Sequence, residues 1–321
     1  IPFQAKISSI PLLTAQLKEL AELAEGLEVV WGAVDSEDLA AQVAAETEDN
    51  QKLANIYKLA IKAQLEAMMA GSSFEAIAPL PMGSFIQNAK LYTTTTVKDL
   101  KKGSDVLPGW NIASANGAYS GSQYGESGNI LCDASTPVKD TYVAMDWGSG
   151  ITISQEVTNL PAGIYTLDMC YVTEGAYKGY ALFEQLDTDD NKIQSDTLHF
   201  VASGEYNHAP IDPNQSLYSI AVTGAKAVIT VACSTEKWGV LDNISLTLNE
   251  PLADFDYAAA AAASQAALSE AYTGVNAIVT PSKVEFYNLN GMQVTEPNKG
   301  VNIRISTGAN GQRVVEKVLV K

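Results

Sequence analysis

Between residues 84 and 248 apolar and polar side chains alternate with a period of two, and this constrains the fold more than any other feature of the 321-residue chain. Ile151, Ile153 and Val157 share one face, while Thr152, Ser154 and Glu156 share the other. Tyr165, Leu167, Met169 and Tyr171 alternate with Thr166, Asp168 and Cys170. Ala227, Ile229, Val231 and Cys233 alternate with Val228, Thr230 and Ala232, and Val240, Ile244, Leu246 and Leu248 continue the pattern. A strand with one apolar face has to bury it against a second layer. The segments are short, rich in Tyr, Thr, Val and Ile, and separated by turn residues, with no helical periodicity between them. They predict about ten strands in two antiparallel sheets packed face to face, an antiparallel β-sandwich of jelly-roll type.

The flanks follow other rules. Leu13, Leu17, Leu20, Ala24 and Leu27 recur at helical spacing after the Ser9–Pro11 start signal, and Gly26 marks the end. Leu39, Val43, Leu53, Ile56, Tyr57, Ile61 and Leu65 form a second stripe that stops at Gly71. Residues 1–80 are therefore expected to form a helical hairpin or the end of a helical domain, and residues 81–250 the sandwich. Residues 251–280 are alanine-rich and read as a helical or flexible spacer. Residues 281–321 return to alternation, with Asn290-Gly291 and Asn310-Gly311 as hairpin turns, and predict a small all-β C-terminal domain. The fold class expected is multidomain α+β.

A net charge of −17 argues against a partner held by its phosphates, so nucleic acid is not an expected ligand. No apolar run approaches the roughly 18 residues that mark a membrane-spanning helix. The charge is uneven: residues 1–80 hold 12 acidic and 5 basic groups, residues 81–250 hold 19 and 9, and residues 251–321 hold 6 of each. Such asymmetry suggests separately evolved units. The chain opens on Ile1 without a leader, which is expected of a processed protein or a piece of a longer one. Cys132, Cys170 and Cys233 lack zinc-site spacing; three buried thiols, or one disulfide and one thiol, are both compatible with them.

Three stretches carry a resemblance. "GITISQEVTNLPAGIYTL" (150–167) resembles a strand–turn–strand of galactose-binding-like, carbohydrate-binding-module-like sandwiches. "KWGVLDNISLTL" (237–248) is similar to their closing strand, and "FIQNAKL" with "LPGW" (85–91, 107–110) to their opening, although Asn88-Ala89 replaces the usual Asn-Pro. The tail "VEFYNLNGMQVTEPNKGVNIRIS" followed by "VVEKVLVK" resembles the C-terminal domains of secreted Bacteroidota proteins, akin to type IX sorting domains. The resemblance implies a secreted or cell-surface protein whose sandwich binds a glycan.

Glycan recognition of that kind stacks aromatic rings on sugar rings, which makes Trp110, Tyr119, Tyr124, Trp147, Tyr177 and Trp238 the candidate binding residues. Trp110 and Trp238 could equally plug the ends of the sandwich. No catalytic residues are assigned: His199 lies in a strand-like run, His208 stands in a loop beside Asp212 with no nucleophile motif, and Gly148-Ser149-Gly150 lacks the G-x-S-x-G spacing. The expected protein is therefore not an enzyme. No metal ligands or cofactors are assigned either. Asp187, Asp189, Asp190 and Asn191 read as a solvated hairpin tip, and Asp242, placed inward by strand parity, as a capped carboxylate with structural calcium as the less favoured reading. The alternatives to glycan binding are a structural or adhesion module that binds a cell-surface protein through the helices, and an accessory part of a larger glycan-degrading enzyme.

Overall fold

The computed structural model describes residues 2–32, 34–37, 39, 50–93, 99–121, 142–174, 177–187, 189–200, 214–224, 226–279, 283–288, 292–294, 299–307 and 313–320. Helices α1 (Pro2–Gly26) and α2 (Asn50–Ala70) precede strands β1 (Leu80–Pro81), β2 (Asn111–Gly121), β3 (Tyr142–Thr158), β4 (Gly163–Glu174) and β5 (Tyr177–Leu186). Strands β6 (Lys192–His199), β7 (Asn214–Val222), β8 (Lys226–Thr235) and β9 (Trp238–Glu250) complete this part. Helix α3 (Tyr257–Val279) leads to β10 (Lys283–Tyr287), β11 (Gln293–Val294), β12 (Gly300–Thr307) and β13 (Arg313–Val320). The chain divides into two compact units, one of Ile1–Trp31 with Asp35–Gln265 and one of Gly32–Val34 with Ala266–Lys321.

In the first unit the strands run β6-β5-β8-β3-β9-β4-β7, with β2 on β3 and β1 on β9. The fold is β-rich and jelly-roll-like, but the two layers are not separate sheets. Strand β3 is 17 residues long and serves both: Gly150–Thr158 pair with β8, and Val143–Asp146 pair with β9. The bend between them falls at Trp147 and Gly148, which have φ of 25° and 76°. Period-two burial is strict in β8, where Ala227, Ile229, Val231, Cys233 and Thr235 face inward. They meet Ile151, Ile153 and Val157 of β3 in a core that also holds Tyr165, Tyr171 and Phe183. Each buried Val, Ile or Phe among them contributes about 1.5–3 kcal/mol by leaving water.

The strand–turn–strand around residue 163 is fixed by one hydroxyl. Tyr165 is fully buried, and its O–H donates to the Pro161 carbonyl at 2.9 Å, four residues upstream. A buried phenol bonded back to nearby backbone locks the corner without leaving a polar atom orphaned. The segment before β2 is held in the same way. Gln155 accepts from Gln87 N–H at 2.8 Å and donates to the carbonyls of Gln87 and Gly109, both at 2.8 Å. The Asn88 side chain donates to the carbonyls of Tyr92 and Pro108 at 2.8 and 3.0 Å.

Helices α1 and α2 bury Leu17, Leu20, Leu53, Ile61 and Leu65 completely. Helix α1 begins at Pro2, earlier than the Ser9–Pro11 signal predicts. Three buried polar contacts attach the helices to the sandwich. Gln16 donates to the Ser84 carbonyl at 3.0 Å, and Lys58 Nζ donates to the Phe85 carbonyl at 3.0 Å with the Phe85 ring centroid 5.7 Å away. Glu66, with no exposed surface, pairs with Lys62 and accepts from Ser264 Oγ at 2.7 Å. Lys62 Nζ also donates to the Leu160 carbonyl at 3.0 Å, so Glu66 joins α2, the β3–β4 turn and the start of α3.

The alanine-rich stretch is helix rather than loose spacer. Asp256 caps it by accepting from Ala259 N–H at 3.0 Å, and Tyr257, Ser264, Leu268 and Tyr272 are buried along it. In the second unit β11-β10-β12-β13 form an antiparallel four-stranded sheet. The Asn290-Gly291 and Asn310-Gly311 turns lie outside the described residues. Of the two cysteine states compatible with the sequence, three buried thiols is excluded: Cys170 is disulfide-bonded, while Cys233 is a free buried thiol whose pKa burial pushes up to about 12.

Candidate functional site

The outer face of β6-β5-β8-β3-β2 is set by register. Tyr180 of β5 pairs with His199 on one side and Ala232 on the other; Ala232 pairs with Thr152, and Thr152 with Ser114. Cross-strand partners point to the same side of a sheet, so His199, Tyr180, Ala232, Thr152 and Ser114 form one row. One step towards the β8–β9 turn, Lys178, Ser234, Gly150 and Asn116 form the next. These rows line a groove of about 390 Å³, floored by Ala232 and Gly150. Small residues leave room there; a Cβ at Gly150 would lie 2.9 Å from that of Ser234. The inner face below is closed by Ala181, Phe183, Val231 and Ile153.

Tyr180 is 38 % exposed and is the aromatic ring among the groove's lining residues. Around it stand hydroxyls and an amide from Ser114, Asn116, Thr152 and Ser234. Among the described residues, no Asp or Glu lines the groove. Trp147 borders it, one residue before the lining Gly148, and is 77 % exposed. Its N–H donates to the Lys237 carbonyl and that of Gly148 to Glu236 at 3.1 Å, which hold the left-handed turn. A tryptophan in that backbone region costs about 1–3 kcal/mol, a cost that surrounding structure sustains mainly at functional positions.

The candidates named from sequence separate. Trp110 is corrected: it is 4 % exposed and its Nε1–H donates to the Asn88 carbonyl at 3.0 Å, so the ring is a core plug with no free face. Tyr119 lies half-buried within β2, not in a loop. By register Tyr177 opens β5 opposite Thr235, and Trp238 opens β9 opposite Asp146, so both begin strands at the same end of the sandwich as Trp147. Tyr124, His208 and Asp212 lie outside the described residues. Tyr180 and Lys178 escaped the sequence reading, yet the signal was present: Lys178, Tyr180, Leu182 and Glu184 alternate with the inward Ala181, Phe183 and Gln185. His199, in β6 as its strand-like run predicts, is exposed beside Tyr180.

The carboxylates are accounted for locally. Asp187 accepts from Asp189 and Asn191 N–H at 2.9 Å each, which, with the Asn191 amide, lowers its pKa at an exposed hairpin tip. Asp242 is half-buried, not inward: a bulge opposite Met169 breaks the parity of β9 at Asn243, whose N–H donates to Asp242 at 2.8 Å. Among the described residues no group of three His, Cys, Asp or Glu is placed to hold a metal ion. No described helix is long and apolar enough to cross a membrane.

No family model matches the chain, and no curated protein matches it. Among solved structures it is similar to TmCBM61 in complex with β-1,4-galactotriose (19 % identity, 44 % of this chain and 88 % of that one, TM-score 0.33). It is also similar to the enzymatically active domain of tailspike protein 4 of bacteriophage CBA120 (14 %, 47 % and 21 %, 0.32) and to a family 35 carbohydrate-binding module from Clostridium thermocellum (13 %, 46 % and 95 %, 0.27).

Proposed function

We propose that the chain is a non-catalytic carbohydrate-binding protein whose ligand lies along the groove of β5, β8, β3 and β2. The observation that carries this reading is a single half-exposed phenol ring over an alanine–glycine floor, ringed by neutral hydroxyls and an amide. The face of Tyr180 offers a surface for the C–H side of a pyranose, and Ser114, Asn116, Thr152 and Ser234 offer partners for its hydroxyls. Trp147, beside the groove, supplies a second ring. One or two stacked rings on an open sheet correspond to micromolar-to-millimolar affinity, about −4 to −8 kcal/mol. Glycoside hydrolysis needs two carboxyl groups about 5–10 Å apart, and the described lining of the groove holds none, which supports the non-catalytic reading.

Tyr180→Ala is expected to weaken binding of any oligosaccharide bound by the full chain about tenfold, or ~1.4 kcal/mol, with little change in stability because the ring is partly exposed. Titration calorimetry on wild type and variant is the check. A variant that binds like wild type, or a glycan array with no signal, ends this reading.

We also propose that the protein works outside the cytoplasm. The disulfide at Cys170 supports this, since such bonds persist in oxidising compartments, and so does the four-stranded tail in the region that resembles a sorting domain. Recovery of the protein in the cytoplasmic fraction with a reduced Cys170 overturns it. The adhesion alternative gains no support from the described helices, whose Leu13, Leu17, Leu20 and Leu53 are already buried within the unit.

A further inference from the structure

Charge on the outer sheet face is polarised along the strands. At one end Glu184 pairs with Lys192 at 2.6 Å and Glu156 with Lys226 at 3.0 Å. By register Glu184, Val228 and Glu156 form one row, three steps from the row that holds Lys178. Two residues of strand advance about 6.6 Å, so the acidic row lies about 20 Å from Lys178. That is more than twice the Debye length of about 8 Å at physiological salt.

At the other end Lys178 is exposed, lines the groove and takes part in none of the ion pairs among the described residues. Glu236, in the turn beyond that row, is itself engaged. Among the described residues, a chain of net charge −17 thus places one ammonium outside any ion pair in a groove lined by no carboxylate. The long-range field of the protein repels anions, but the short-range field in the groove is that of Lys178.

We infer that the groove selects acidic sugars, with Lys178 taking the carboxylate of a hexuronate while Tyr180 stacks on a ring one register step away. This rests on the carbohydrate reading of the same groove. An ammonium on a flexible stem offers three donors and no acceptor, so it favours a carboxylate over the hydroxymethyl group of a neutral hexose. The step from Lys178 to Tyr180 is about 6.6 Å along β5, within one ligand's reach.

The test compares trigalacturonate with neutral β-1,4-galactotriose on the full chain by calorimetry, for wild type, Lys178→Gln and Tyr180→Ala. The expected result is about fivefold tighter binding of the acidic trisaccharide, narrowing as salt rises, with Lys178→Gln bringing the ratio to about one and Tyr180→Ala weakening both ligands. Equal binding of the two by wild type, or a preference that survives Lys178→Gln, overturns the inference. If the neutral sugar still binds and Tyr180→Ala weakens it, the carbohydrate reading stands without the acid selectivity. Binding of neither trisaccharide overturns the selectivity and counts against the carbohydrate reading as well.

Discussion

Glu66→Ala is expected to cost about 3–5 kcal/mol, the usual loss when one member of a buried ion pair is removed. Glu66 has no exposed surface, and the Lys62 side chain that it neutralises is 13 % exposed. Its second oxygen accepts from Ser264 Oγ at 2.7 Å, and the Ala162 N–H points at the first from 3.5 Å. Deleting the carboxylate would strand an ammonium, a hydroxyl and an amide together in one enclosed place. The same place joins α2, the β3–β4 turn and the start of α3. Tyr257 O–H donates to the Ala162 carbonyl at 3.2 Å and accepts from Leu252 N–H at 2.6 Å, so the start of α3 is pinned to the β3–β4 turn beside Glu66. Urea unfolding at neutral pH is the measurement. An unfolding free energy within about 0.5 kcal/mol of wild type would mean that Glu66 is not what ties the helices to the sandwich. The double variant Glu66→Leu with Lys62→Leu should recover much of the loss, because replacing both charges leaves no uncompensated ion.

Much of this architecture is legible in the sequence because burial on one face of a strand writes itself as alternation. Strand β8 alternates without a fault, and its partners β3 and β5 follow. The helices read from their leucine stripes for the same reason. What the pattern hides is whatever violates it. Glu66 and Lys58 lie on buried parts of α2, and a rule that sends charges outward passes over both. Gln185 faces inward with no exposure because its amide donates to the Ala221 carbonyl at 2.6 Å and accepts from Thr223 N–H at 3.0 Å, contacts that depend on chain folding far from β5. Asp242 was placed inward by counting in twos, and the bulge at Asn243 shifted the count. The groove is hidden for a different reason: a rule that looks for aromatic rings in loops passes over Tyr180, which carries an exposed ring in mid-strand with its alternation intact. Gly179 beside it shows how local the constraint is: a Cβ there would lie 2.3 Å from the Phe200 ring, which packs 5.0 Å from Tyr171 and closes the core beneath Tyr180.

Lys58 gives the second large effect, and its sign is opposite to that of most buried charges. It is 5 % exposed, with the Phe85 carbonyl and ring as its described partners, and burial lowers its pKa from 10.5 to about 8. Below pH 8 the ammonium is charged in both folded and unfolded chains, so the folded state carries the whole desolvation cost, about 3 kcal/mol. Between pH 8 and 10.5 the unfolded chain holds the proton and the folded one releases it, so stability rises with pH. Tyr57, Tyr165 and Tyr257 have pKa values raised by burial, and Lys226 one raised by Asp190 and Glu156; these groups pull stability down, but only above about pH 10. The Cys233 thiol, pushed by burial from 9.0 to about 12, already pulls stability down from about pH 9, equally in wild type and in a Lys58 variant, so the Lys58 effect is read as the difference between the two from pH 8 to about 9.5. Across that window, wild type should gain about 2 kcal/mol relative to Lys58→Met, which has no proton to lose there. At pH 7 the variant should be as stable as wild type or more so, since removing the buried charge offsets the roughly 1–3 kcal/mol of leaving the Phe85 carbonyl without its donor. Chemical denaturation of both proteins at several pH values decides it: parallel stability curves would show that Lys58 keeps its ordinary pKa, and that water reaches the seam between α2 and the sandwich.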